Sequence, residues 1–345
     1  MSYCIGCGRP VPAGAPACEC GQAVYREPPG TPRFAQFLGG GGTLLGIHLV
    51  NILFTVLSAG VYYFWAKAKV RRYLYSQTEF AGARFGYHGT GFELLKGWIK
   101  AAGFFLIYFV VVWILQGALG ERWGPVVATG LLYAVLILVI PSILVGSWRF
   151  AMSRTSYRGI RFSYSTDTRA FFRFYLKGVF LSLITLGIYS PVFLNDLRGW
   201  YCRGARFGGL PFGYDGEGRS LVWPYVLNLL LLIPTLGLYS FWFRARMQRH
   251  FWNHTFFASA RFTSTVTGGA LLGLTVVNLL LVIFTLGLGA PWARIRTIRY
   301  ALANLSLSGP LDFDSIEQDI RNATATGEFL GGMLDIGDTG FDAGI

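Results

Sequence analysis

Charge is what this chain has least of. Asp, Glu, Lys and Arg make up only 14% of its 345 residues, against about a quarter in an average soluble protein. Acids are the scarcer half, seventeen against thirty Lys and Arg, which leaves a net charge of +13. Hydrophobic residues make up 53% and aromatics 17%, and the mean hydropathy is +0.46. That balance excludes a disordered chain and an ordinary soluble domain, and nucleic acid is not expected as a partner. A chain both apolar and basic suits anionic lipid head groups, which attract Lys and Arg beside the membrane.

Catalytic patterns are missing too. There is no Ser-His-Asp set, no paired carboxylates, no P-loop and no dinucleotide-binding glycine pattern, and the apolar part has almost no acid to move a proton. A non-enzymatic protein is expected. The N-terminus opens with cysteines and prolines instead of a basic region followed by an apolar run, so no cleavable signal peptide is expected and the first apolar stretch stays in the protein.

Six stretches have no charge at all: 34–66, 101–120, 123–148, 178–195, 220–243 and 262–293. A helix crossing about 30 Å of hydrocarbon needs about 20 apolar residues, which five of the six supply. The fold expected is therefore mainly α, a polytopic membrane protein, multi-pass in a bacterial inner membrane.

Four of five cysteines fall in the first twenty residues, as Cys4, Cys7, Cys18 and Cys20. Two close pairs beside glycine let four thiolates meet one ion, the closed tetrahedral set of structural zinc. Residues 1–26 read as a zinc-ribbon-like head, 27–33 as a proline-stiffened linker, 34–312 as the membrane part and 313–345 as an acidic tail. From 311 onward there are eight acids and one Arg, a net of −7. Cys202 stands apart and reads as a packed thiol.

Self-similarity is the most specific feature. Asn228 is followed by Thr235-Leu236-Gly237, Trp242, Arg244, Arg246 and Arg249, and the same offsets recur as Asn278, Thr285-Leu286-Gly287, Trp292, Arg294, Arg296 and Arg299. A third copy reads Asn51, Ser58-Ala59-Gly60, Trp65, Lys67, Lys69 and Arg72. Two weaker copies carry Thr185-Leu186-Gly187 followed by Val192, and Trp148 with Arg149. The anchors lie 83, 44, 50 and 50 residues apart. After each comes an aromatic segment: Arg84-Phe85-Gly86-Tyr87, Arg161-Phe162-Ser163-Tyr164, Arg206-Phe207 with Phe212-Gly213-Tyr214, and Arg261-Phe262-Thr263. Small and aromatic residues alternating in this way predict short strands or hairpins. The unit, repeated about five times, is a membrane helix, a glycine break, a basic amphipathic helix and a short strand, and the units need one another to bury their apolar faces.

Gly60-Val61-Tyr62-Tyr63-Phe64-Trp65-Ala66-Lys67, Arg71-Arg72-Tyr73 and the Thr-Leu-Gly-x-Tyr-Ser-x-Trp pattern at 235–242 resemble the YjgN-like family of bacterial inner-membrane proteins, a domain of unknown function. The resemblance covers about 34–312 and leaves the cysteine head outside. It implies a location and an architecture and no activity.

Each motif residue has a physical reading. Trp65, Trp242 and Trp292 mark an apolar-to-polar boundary, with Lys67, Lys69, Arg72, Arg244, Arg246, Arg249, Arg294, Arg296 and Arg299 reaching for lipid phosphates. Asn51, Asn228 and Asn278, with Thr235 and Thr285, are polar groups inside lipid, serving as interhelical glue or, at a broken helix, as the lining of a cavity. His250 and His254 share a helical face with no carboxylate between them, which favours packing over metal binding.

Two topologies fit these charges. If every stretch spans, positive-inside counting puts the head outside; if four stretches are re-entrant and only 101–148 crosses, the head and the basic motifs share the reducing, cytoplasmic side that suits thiolate zinc ligands. The expected function is binding or transport of a lipid or small solute; the alternative is a scaffold or sensor whose zinc head, or acidic tail, docks a protein partner.

Overall fold

A computed structural model describes residues 32–309, together with the backbone of three short strands before them, β1 (Ser2–Cys4), β2 (Pro10–Val11) and β3 (Val24–Arg26), paired antiparallel in the order β2-β1-β3. Cys7, Cys18, Cys20 and the acidic tail lie outside the described residues, as does the side chain of Cys4.

From residue 33 one pattern repeats. Strand β4 (Arg33–Phe37) leads into helices α1 (Gly41–Leu57) and α2 (Tyr63–Ser76), then β5 (Thr78–Phe80) and β6 (Ala83–Tyr87). Next come the long helix α3 (Gly91–Ser153), β7 (Thr155–Tyr157) and β8 (Ile160–Tyr164), then α4 (Thr168–Ile184), α5 (Ser190–Gly204), β9 (Ala205–Phe207) and β10 (Leu210–Tyr214). A 3-10 turn and α6 (Val222–Leu232), α7 (Ser240–Asn253), β11 (Thr255–Phe257), β12 (Ala260–Ser264), α8 (Gly268–Phe284), α9 (Ala290–Ala303) and β13 (Leu305–Ser308) complete the chain.

The strands overturn the expected fold class. They are not trimmings on a polytopic helical bundle. β4 to β13 pair antiparallel, each with the next, and β13 pairs with β4 (Ser306 opposite Phe34, Leu307 opposite Arg33), which closes a ten-stranded barrel. Among the described residues only two helical arms, Gly91–Gly120 and Arg122–Ser153, are long and apolar enough to cross a membrane. A run without charge records apolar chain, not straight chain. The stretch 34–66 is spent on a strand, a 17-residue helix, a reversal and the start of a second helix.

Sequence explains both kinds of turn. In the strand hairpins Ala81-Gly82 (φ 44 and 76) and Arg158-Gly159 (φ 50 and 80) hold both central residues at positive φ, the two-residue geometry that matches strand twist. At the other end every connection is helical, so each helix pair leaves and returns at the same rim. The helix pairs reverse at Thr-Leu-Gly. Leu236 (φ 49) and Gly237 (φ 82) are left-handed, and the Gly237 N–H donates to Leu232 O at 2.7 Å, the bond that ends a helix with a Schellman turn. Thr235 Oγ1 donates to Leu231 O (2.6 Å) and accepts the Tyr239 N–H (3.2 Å), which ties the turn to the residue that precedes the next helix. Thr285 repeats both bonds, to Leu281 O and from Gly289 N–H. The reversal in α3 falls at Gly120 (φ 70, ψ 179). Its base is tied by Glu93, which completes a capping box with Thr90 and accepts two bonds from Arg154 (3.2 and 2.7 Å).

Candidate functional site

The barrel interior is aromatic because each hairpin places two rings inward. The pairs are Phe80 and Phe85, Tyr157 and Phe162, Phe207 and Phe212, Phe257 and Phe262. Each pair is five residues apart. Side chains alternate along a strand, so a two-residue turn sends both members to one side. Their rings touch around the bore: Phe85–Tyr157 at 4.9 Å between centroids, Phe162–Phe207 at 4.8 Å, Phe212–Phe257 at 4.7 Å. Arg84, Arg161 and Arg261, one position off, are on the outer face; Arg261 pairs with Asp215 there at 2.6 Å, which holds the Asp215 carboxyl below its usual range.

The fifth hairpin is assembled from the two ends of the barrel, β13 and β4. There the pattern fails. Leu307 stands where the others have Phe or Tyr, Ala35 where they have Phe, and Arg33 where they have Ala83, Ile160, Leu210 or Ala260. At this seam lies a cavity of about 770 Å³, within the range of small-molecule sites. Its lining runs from Arg33 and Ala35 past the aromatic bore to Arg71, Leu74 and Tyr75 on α2, Trp252 on α7, and Arg294, Thr297 and Ile298 on α9. Among the described residues that line it there are three arginines and no carboxylate.

A second polar cluster adjoins Trp252. Arg198 is only 7% exposed and stacks over the Trp252 and Tyr201 rings at 4.8 and 5.5 Å, with its Nε buried and unbonded. Asn195 Oδ1 accepts from Tyr214 OH (2.5 Å) and lies 3.1 Å from His250 Nε2. Burial, and then the neighbouring His254, push the His250 pKa down to about 4. His254 Nδ1 lies 2.8 Å from His250 O. Burial above all pushes the Tyr214 hydroxyl up.

The repeat residues occupy the helix pairs, not the bore, with Arg294 the exception. Asn51 Nδ2 donates across its pair to Ala66 O (3.3 Å), and Asn278 Nδ2 to Ala293 O (3.2 Å) and Thr297 Oγ1 (3.0 Å); Asn228 is buried at the matching place. The amide oxygens of all three are buried without a partner. Trp65, Trp242 and Trp292 each lie over a glycine that opens an apolar helix of the adjoining unit, Gly91, Gly268 and Gly41, so closely that a Cβ there would collide. The outer parts of Trp242 and Trp292 stay exposed. Lys69 Nζ donates to Tyr62 OH at 2.5 Å, and Arg299 reaches Gly39 O at 2.8 Å, bracing the seam. Among the described residues no cluster of His, Cys, Asp and Glu could hold a metal.

Arg33, Arg71 and the inward rings are absent from the sequence reading of the site. The signal was present: an aromatic pair five apart, recurring every 50 residues from 157 to 262.

Comparison with known proteins agrees with the apolar arms. Inner membrane protein YjgN of Salmonella typhimurium is 29% identical over 177 residues, covering 47% of this chain and 42% of that protein. Its namesake in Escherichia coli K12 is 31% identical over 135 residues, covering 39% and 32%. The chain thus spans less than half the length of these relatives. No solved structure matches it. A family model of bacterial proteins of unknown function, DUF898, matches residues 32–227, 209–262 and 243–333. On that coverage, which takes in the whole barrel and its helix pairs, the chain belongs to the DUF898 family.

Proposed function

We propose that this chain is a non-enzymatic inner-membrane protein that takes a lipid out of the bilayer into its barrel. The cavity at the seam carries this reading. It runs along the inward rings of all four complete hairpins and continues onto α2, α7 and α9, at the rim from which the helix pairs project. The lining described offers apolar surface, hydroxyls and guanidinium groups, and neither carboxylate, thiol nor imidazole to move a proton. The name shared by the relatives supports the inner-membrane location.

The helix pairs supply the contact with lipid. Leu186, Leu236 and Leu286 at their turns are 92%, 92% and 94% exposed, which suits hydrocarbon and not water. The helices that lead to these turns have 11 to 17 residues, at most about 25 Å at 1.5 Å per residue, while each arm of α3 is about 45 Å long, enough for a core of about 30 Å. Four pairs enter the bilayer without crossing it and one pair crosses. Cys4, Cys7, Cys18 and Cys20 are assigned to a structural zinc, with the head on the barrel side.

Native mass spectrometry of the protein extracted with its surrounding membrane tests the reading, with zinc measured on the same sample. One retained lipid per chain is expected, displaced when Ala35→Phe completes the ring of aromatics. A wild-type barrel that carries no lipid, or lipid retained equally by the variant, would overturn it.

A further inference from the structure

We propose that residues 311–320, the start of the acidic tail, fill the seam cavity from the hairpin end of the barrel and give way when a lipid enters. Occupation by the tail does not depend on the lipid-binding reading; displacement rests on it.

The chain leaves the barrel at the cavity. β13 runs from the helix end of the barrel to the hairpin end and stops at Ser308, and its Ser306 and Leu307 are part of the lining, paired with Phe34 and Arg33 of β4. Gly309 follows at φ 141, a conformation open to glycine. It packs so tightly against the β11–β12 turn that a Cβ would lie 2.6 Å from Ala260 Cα. Residue 311 is thus only a few positions past Leu307, the lining residue that stands in place of a ring. Ten extended residues reach about 33 Å, and a five-residue strand about 17 Å, so the segment can run the length of the bore.

The segment suits the wall. Residues 311–320 lie outside the described residues, and the match is read from their sequence. Leu311, Phe313, Ile316 and Ile320 are interleaved with Asp312, Asp314, Glu317 and Asp319, with no Lys or Arg among the ten. The described lining is the counterpart, aromatic rings with three arginines and no carboxylate. Arg33, Arg71 and Arg294 each already take part in a further interaction, so the segment gains from the sign of the field in a low-dielectric enclosure and not from an open guanidinium edge. Size agrees as well. At about 30 Å³ for each non-hydrogen atom, the share of a water molecule in the liquid, a cavity of about 770 Å³ holds about 25 atoms, the bulk of four apolar side chains and a little backbone.

The tether makes a weak contact sufficient. A segment joined to its site by a short linker acts at an effective concentration of millimolar order. A contact too weak to hold a separate peptide therefore keeps the rings covered, and a lipid arriving from the bilayer end has to compete with it.

The test uses the full chain, delipidated and held in amphipol, with the photoreactive Phe262→p-benzoylphenylalanine on the wall opposite Leu307. Adducts are located by fragment-ion sequencing after irradiation. Attachment to residues 311–320 is expected, and none from Phe34→p-benzoylphenylalanine on the outer face, where the native ring is 49% exposed. Phe85→p-benzoylphenylalanine reads the same cavity should the first variant fold poorly. Phe313→Asp together with Ile316→Asp should cut the tail adduct about tenfold or more, since two apolar side chains no longer favour the rings. Attachment to lipid or to another protein in place of the tail, equal yields from Phe262 and Phe34, or a yield untouched by the two Asp substitutions would overturn the tail as occupant. Attachment to lipid would leave the lipid-binding reading standing. Irradiation in nanodiscs of phosphatidylethanolamine and phosphatidylglycerol tests displacement, with the tail adduct expected to fall as a lipid adduct appears. A tail adduct that keeps its full yield, with no lipid adduct, would uphold the tail as occupant and overturn both displacement and the lipid-binding reading.

Discussion

At the scale of single residues the least ordinary group is His250. Its Nε2 faces Asn195 Oδ1, an oxygen that can only accept, so the ring is held as the neutral Nε2–H form. Charging it would cost twice, first through burial and then through His254, whose ring centroid is 4.3 Å away; Asp215 opposes this weakly. The folded pKa, about 4, is below the ordinary 6.5. As pH falls through about 6.5 the unfolded chain takes up a proton that the folded chain refuses until about 4, so stability is lost across that window and is unaffected above it. The melting midpoint in detergent is expected to fall between pH 7 and pH 4.5, and His250→Gln, which keeps a donor near Asn195, should flatten the fall. Identical slopes in the two proteins would remove His250 from the account.

At the scale of elements, the helix pairs show why much of this fold was readable and why its class was not. Thr-Leu-Gly at 185, 235 and 285 reads directly as a helix stop followed by a new start, since glycine supports positive φ and the threonine hydroxyl can accept a backbone N–H within the turn. The Arg-Phe segments read as strands for an equally local reason. Closure of the barrel is not local. β13 meets β4 across 270 residues of sequence, and strands of three to five residues carry too little pattern to announce a partner. The cavity was hidden for the same reason, because Ala35 is informative only beside Phe85, Phe162, Phe212 and Phe262. The turns themselves give a sharp expectation. Leu236 sits at φ 49, a conformation that costs an L-residue about 1–2 kcal/mol, and it is almost wholly exposed; burial in hydrocarbon offsets that cost. A nitroxide attached at Leu236→Cys should therefore collide with oxygen dissolved in the bilayer and be shielded from a water-soluble nickel chelate. Free access of the chelate would place the turns in water.

At the scale of the whole molecule, the closed barrel settles which parts must share a side. Strand hairpins and helix pairs leave opposite rims, and each of the four shorter helix pairs returns to the rim it left. Among the described residues only α3 has arms long and apolar enough to carry chain to the far side of a bilayer, and the turn between them consists of Gly120, Glu121 and Arg122. Within residues 32–309 every Lys and Arg except Arg122 belongs to the barrel side or to the membrane-facing helices rooted in it. Basic residues accumulate on the cytoplasmic side of inner-membrane proteins. The barrel, with Arg84, Arg161 and Arg261 on its outer face, is therefore expected on the cytoplasmic side and the α3 turn on the periplasmic side. A membrane-impermeant maleimide added to intact cells should label Arg122→Cys and leave Gly209→Cys, at a strand hairpin, unlabelled until the cells are opened. Label at Gly209→Cys in intact cells would invert the assignment. Label at both positions would mean that α3 does not cross, and with it would go the leaflet from which the cavity is proposed to draw a lipid.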